Sequence, residues 1–141
     1  MHKEELKEMI PHRELMLLID EAELDETGKI AYSKTTIRGD EYFLQGHFPG
    51  NPIVPGVIQC EIMGQTCCVL LEKELKNRVP MFTGMDKVKF KRMVVPGDVI
   101  EVKAYITRQK HPFYFTHCEA YVAGELAAQG ELSFVLQERK A

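Results

Sequence analysis

The chain has 141 residues, 45% of them apolar and 28% charged, with a net charge of −3. That size suits one domain over residues 1–141, and the apolar content excludes an intrinsically disordered chain. The weakly acidic balance argues against nucleic acid as a partner. No apolar run is long enough to span a bilayer, and the opening Met1-His2-Lys3-Glu4-Glu5 is acidic where a signal peptide would be basic, so a cytoplasmic protein with no membrane partner is expected.

Residues 2–9 read as a short helix with Leu6, Met9 and Ile10 on one side, stopped by Pro11. Residues 15–25 read as a strand, Glu26-Thr27-Gly28 as a turn, and 29–38 as a second strand. In that second strand Ile30, Tyr32 and Thr36 oppose Ala31, Ser33 and Thr35, which makes a hairpin with the strand before. Residues 40–46 lead into a loop, 46–56, where Pro49, Pro52 and Pro55 alternate with Gly46, Gly50 and Gly56. Prolines lack a donor and fix φ, so this loop is stiff and shaped rather than floppy. A helix apolar nearly all round follows, from 57 to 75, which marks it as a core helix. Pro80 opens a short link through Met81-Phe82-Thr83-Gly84. The last third is all strand: 86–94, 99–109, 113–122 and 125–137, with turns at Pro96-Gly97-Asp98, Lys110-His111-Pro112 and Ala123-Gly124. In the final strand Leu126, Ala128, Gly130, Leu132, Phe134 and Leu136 share one face. The fold class is α+β, an antiparallel sheet of five or six strands laid on one long helix. One sheet covers one side of a helix that has no polar side, so a symmetric dimer is expected to cover the rest.

Two groups stand out as chemistry. His47 opens the rigid loop, and Glu61 is a carboxylate inside the apolar helix. Burial favours the protonated form of a carboxyl, and imidazole titrates near pH 6.5, so the pair suits an acid and a base. The plainer readings are a loop histidine capping a carbonyl and a buried glutamate satisfied by Gln65 at i+4. No C-x-x-C or zinc-like spacing exists among Cys60, Cys67, Cys68 and Cys118, and they read as small apolar core residues rather than nucleophiles.

Gly46-His47-Phe48-Pro49-Gly50-x-Pro52-x-x-Pro55-Gly56-Val57, followed by Glu61 and Gln65, resembles the signature of FabZ-type 3-hydroxyacyl-[acyl-carrier-protein] dehydratases. So do Pro11-His12-Arg13, Asp86-Lys87-Val88-Lys89-Phe90 and Val95-Pro96-Gly97-Asp98, and the similarity runs over roughly residues 10–137. The resemblance implies the hot-dog fold and a lyase of fatty acid biosynthesis that turns (3R)-hydroxyacyl-[acyl-carrier-protein] into the trans-2-enoyl form, with no cofactor. It implies homodimers, often three in a hexamer. His47 would be the base, Glu61 the acid, the N–H of Gly56 the donor to the thioester oxygen, and Gln65 a partner orienting Glu61. The 14-residue separation of His47 and Glu61 allows them to meet within one chain, and the resemblance implies that they meet across two.

An acyl tunnel is expected, with Phe48, Ile53, Val54, Met81, Phe82 and Met85 as wall candidates. The family often has an aromatic gate where Met81 stands, so Met81 departs from the pattern and chain-length preference stays open. Acyl carrier protein is acidic, and Lys87, Lys89 and Lys91, at period 2 on one strand face, with Arg92 beside them, are the docking candidates. The rival readings are a hot-dog thioesterase, a dehydratase that also moves the double bond from trans-2 to cis-3, and a binding module that has lost the chemistry.

Overall fold

The alternation in the last third of the chain becomes the larger part of a six-stranded antiparallel sheet. The computed structural model describes residues 2–9, 16–45, 50 and 52–138. The elements are α1 (Lys3–Met9), β1 (Glu21–Leu24), β2 (Ile30–Thr36), α2 (Gly56–Leu70), β3 (Arg78–Phe90), β4 (Val99–Lys110), β5 (Phe113–Val122) and β6 (Glu125–Glu138). A 3-10 turn at Tyr42–Leu44 leads toward the proline-rich loop. The strand order is β1-β2-β4-β5-β6-β3, so β3 is an edge.

Helix α2 crosses the inner face of this sheet. Residues 62–69 are all buried, including Ile62, Met63, Cys67 and Val69, and Ala31, Val102, Ala104, Cys118, Leu132 and Phe134 belong to the same core. Two polar groups on this face pair with each other: the Ser33 and Thr66 hydroxyls lie 2.7 Å apart, and Thr66 Oγ1 also lies within hydrogen-bond reach of Ile62 O. The Cys67 thiol sits 3.3 Å from Cys118 Sγ on β5.

Several expected boundaries shift. The helix ends at Leu70, not at 75. Leu71 and Leu75 stay buried at helical spacing, but they do so through a run of tight turns in which Glu74 and Leu75 N–H both donate to Leu71 O. Apolar spacing cannot tell such turns from continued helix. The expected link at 80–84 is strand, because β3 begins at Arg78. Pro80, opposite Leu136, is tolerated there because an edge strand has a side that needs no donor. The first strand is short, with 17–19 irregular before it, and position 15 lies outside the described residues.

Bulges change which residues share a face. Ala127 is the extra residue between the pairs Ala120–Ala128 and Tyr121–Leu126. Ala127 and Ala128 are therefore both buried and Leu126 leaves the apolar face it was expected to share. In β3, Thr83 is extra after the pair Phe82–Phe134, and Lys87 and Val88 together oppose Gly130.

Candidate active site

Glu61 lies in the second turn of α2, half-buried among apolar neighbours. One turn further on, Gln65 is 0% exposed and makes three hydrogen bonds. Its Nε2 donates to Glu61 Oε2 at 3.0 Å and to Met16 O, while its Oε1 accepts the N–H of Leu18 at 2.9 Å. A buried amide satisfied on every side holds one orientation, so it holds the carboxylate as well. The expected Glu61–Gln65 contact is present. The anchoring of Gln65 to the backbone of Met16 and Leu18 was not legible, because it joins residues 47 and 49 positions apart through main-chain atoms.

Gly56 is the first residue of α2, after Pro55 at φ −58° and ψ 144°, and no side chain caps the helix. The amides of Ile58 and Gln59 donate to Pro55 O, while among the described residues those of Gly56 and Val57 find no acceptor. The positive end of the helix dipole lies at Gly56, beside Val57, which is 74% exposed. Gly56 also permits a close approach. A Cβ built there would lie 2.8 Å from Cζ of Phe90, the last residue of β3. Gly64, two turns on, stands in the same relation to Phe82. Glycines in an otherwise apolar helix are a legible signal of close packing, but they do not say what comes close.

His47 and Phe48 lie outside the described residues, as does Asn51. The tunnel candidates separate. Val54 is 2% exposed and its N–H donates to Val94 O, which ties the loop before α2 to the segment after β3. Ile53 is half-buried. Phe82 lies on the inner face, on α2, with its ring 4.9 Å from that of Phe134. Met85 shares that face, opposite Leu132. Met81 is opposite Val135 and so points to the other face of the sheet, away from α2.

The single face expected for Lys87, Lys89 and Lys91 is not kept. The bulge breaks the period-2 alternation: Lys87 adopts a left-handed φ of 52°, and Lys89 pairs with Gln129 on the outer face. Lys91 follows the strand, and its N–H donates to Ala127 O. Arg92 is held by Asp98 at 3.5 Å and Glu125 at 3.2 Å, so its charge is partly met within the chain.

The four cysteines are free and buried. Burial pushes the Cys68 thiol up to about 12, with the nearby charge of Glu61 adding to it. Burial also raises Cys60. A hydrogen bond with Cys67, together with burial, raises Cys118. Thiols held protonated make poor nucleophiles, which argues against covalent catalysis at Cys60. Among the described residues no cluster could hold a metal ion, and no helix is long and apolar enough to cross a membrane.

A six-stranded antiparallel sheet laid over one apolar helix is the hot-dog architecture. The likeness to solved structures agrees. The ApeI:P dehydratase heterocomplex from Xenorhabdus doucetiae matches with a TM-score of 0.81 at 18% identity, covering 96% of this chain and 91% of that one. A hypothetical thioesterase with coenzyme A from Streptococcus pneumoniae matches at 0.63 and 10% identity, over 86% and 89%. At such identities these show the fold alone. A family model for ApeI-like dehydratases matches residues 22–131. The 3-hydroxyacyl-[acyl-carrier-protein] dehydratase FabZ of Natranaerobius thermophilus is 44% identical over 137 residues, 96% of each chain. That of Staphylococcus aureus is 39% identical over 138 residues, 96% of this chain and 94% of its own. The chain belongs to the FabZ-type 3-hydroxyacyl-[acyl-carrier-protein] dehydratases, hydro-lyases of fatty acid biosynthesis.

Proposed function

We propose that this chain, as one hot-dog domain in the cytoplasm, removes water from (3R)-3-hydroxyacyl thioesters carried on acyl carrier protein. His47 takes a proton from C2, Glu61 gives a proton to the departing C3 hydroxyl, and the N–H of Gly56 steadies the thioester oxygen as charge builds on it. A C2–H bond and a C3–O bond break, the C2–C3 double bond forms, and water leaves. The histidine is left protonated and the glutamate ionised, so a proton must pass between them before the next turnover. The observation that carries this reading is a single carboxylate in an apolar helix, held by a buried amide one turn on, in the helix whose first residue is Gly56.

The working unit is a homodimer, with three dimers in the full assembly. Support comes from what one copy leaves uncovered: Val57, Phe82, Met85, Phe90 and Met93 are 42–74% exposed on the edge strand, the helix start and the segment after the strand. An edge strand with such a face is ready to pair with a second copy. In that pairing His47 of one subunit works with Glu61 of the other. The test is to prepare His47→Ala and Glu61→Gln separately, assay hydration of a crotonyl thioester, and refold the two together. Each alone should be inactive and the mixture should regain part of the activity. Full activity in either single variant ends the mechanism, and thiol release in place of hydration would make the chain a thioesterase. Reversing Lys87, Lys89 and Lys91 should raise KM for the carrier-bound substrate alone, and an unchanged KM would remove them as the docking surface.

A further inference from the structure

The start of α2 is held from outside the helix. Pro55 stands at its N-cap and no side chain caps it, so the helix does not fix its own first turn through a side chain. The end of β3 and the chain after it do so at two points. Just before the helix, Val54 N–H donates to Val94 O at 2.8 Å. At the helix start, a Cβ built on Gly56 would lie 2.8 Å from Phe90 Cζ and 3.1 and 3.2 Å from its two Cε atoms, so the tip of the ring fills the place of a side chain. Those two points are themselves anchored. Ala127, the extra residue of the β6 bulge, takes the N–H of Lys91 at 2.7 Å and that of Arg92 at 3.4 Å. The Arg92 guanidinium reaches Glu125 Oε2 at 3.2 Å and Asp98 Oδ2 at 3.5 Å, and its Nε donates to Met93 O. Asp98 Oδ2 also accepts the N–H of Val95. One planar guanidinium thus ties its own strand end to two other stretches of chain.

We infer that residues 90–95 form a bracket that sets the position of the Gly56 N–H, with Phe90 and Arg92 as positioning residues for the reaction. Phe90 is the stop against which Gly56 rests, and Arg92 is the strut that holds the bracket. The inference rests on the dehydration reading, in which the Gly56 N–H meets the thioester oxygen. A donor of this kind acts on charge that appears only as the transition state forms, so a small displacement weakens catalysis without loosening the bound substrate. Arg92 also leaves the docking candidates, because two carboxylates match its charge before any acidic carrier arrives.

The test uses the full-length protein and hydration of a crotonyl thioester, on a small thiol and on the carrier. Phe90→Leu removes the ring tip and Arg92→Met removes the strut. Each should lower kcat about tenfold while KM for the small thioester stays within about twofold. Gly56→Ala combined with Phe90→Leu should give a higher kcat than Gly56→Ala alone, because the methyl then has the space the ring left. If the ring acts elsewhere, the two losses multiply. Sedimentation at the assay concentration checks that the assembly is unchanged, and should Phe90→Leu alter it, Arg92→Met decides. If neither variant folds, the wild type decides: with glycine labelled at Cα, the Gly56 resonances, identified by their loss in Gly56→Ala, should be displaced by the ring current of Phe90, and an undisplaced position overturns the contact. Unchanged kcat in Phe90→Leu overturns the stop. An Arg92→Met that raises only KM for the carrier-bound substrate is a docking variant and overturns the strut. A wild type that hydrates no enoyl thioester overturns the dehydration reading, whereas an active wild type with either of the preceding results overturns the bracket alone.

Discussion

The ring of Phe82 on β3 lies directly on Gly64 of α2: a Cβ added at Gly64 would stand 2.5 Å from Phe82 Cζ. Together with Phe90 on Gly56, two turns of helix away, this contact seats the edge strand against the helix that carries Glu61. Gly64→Ala should lower stability by about 1 kcal/mol, near the low end for overpacking, because the ring stands at an exposed edge and can swing. Urea unfolding of Gly64→Ala, with and without Phe82→Leu, checks it. The smaller side chain should remove much of the cost if the two residues act through this contact.

Gly56→Ala makes a different prediction. The added methyl would meet Phe90 beside the first amides of α2. Stability should fall by about 1 kcal/mol, as at Gly64, because the half-exposed Phe90 ring must move aside, whereas kcat should fall further, by about tenfold or more, as the helix start is displaced from the thioester. Steady-state kinetics beside a thermal melt separates the two effects.

The edge of the sheet predicts an assembly. Met85 is 55% exposed on β3, on the face that meets α2. A charge placed there would have to be buried unpaired in a dimer formed across this edge. Met85→Asp should sediment as a monomer and lose hydration activity together, whereas the wild type should sediment as dimers or larger. A wild-type monomer at micromolar concentration would contradict the pairing.

Cys68 makes the protein sensitive to alkali. Its thiol titrates at about 12 in the folded protein against 9.0 for an ordinary cysteine. The folded value is the higher, so this contribution to stability is complete below pH 9 and is lost as pH rises toward 12. The loss should approach about 1.4 kcal/mol per pH unit across that window. Denaturant unfolding at pH 8, 9 and 10 should show the decline in the wild type and a shallower one in Cys68→Ala. Native Cys68 should also resist alkylation at pH 8.

Much of the architecture was legible because alternation and punctuation are local properties. β5 begins and ends where the pattern of Phe113–Val122 says it should, and the turns at 96–98 and 123–124 fall on their glycines. The missed features depend on neighbours distant in sequence. Whether Pro80 lies in a link or a strand depends on its being at an edge, with Leu136 opposite. Whether Lys87 and Lys89 share a face depends on an extra residue opposite Gly130.

The residue types themselves determined the chemistry on offer: a carboxylate in an apolar helix, a glycine at its first position and a glutamine one turn beyond the acid. Those facts follow from order along the chain, since helical spacing alone brings Glu61 and Gln65 together. Only the tertiary structure decided how the acid is held. The groups that lock Gln65 are main-chain atoms of Met16 and Leu18, which are chemically the same at every residue and leave no mark in a sequence until the fold brings them to the helix.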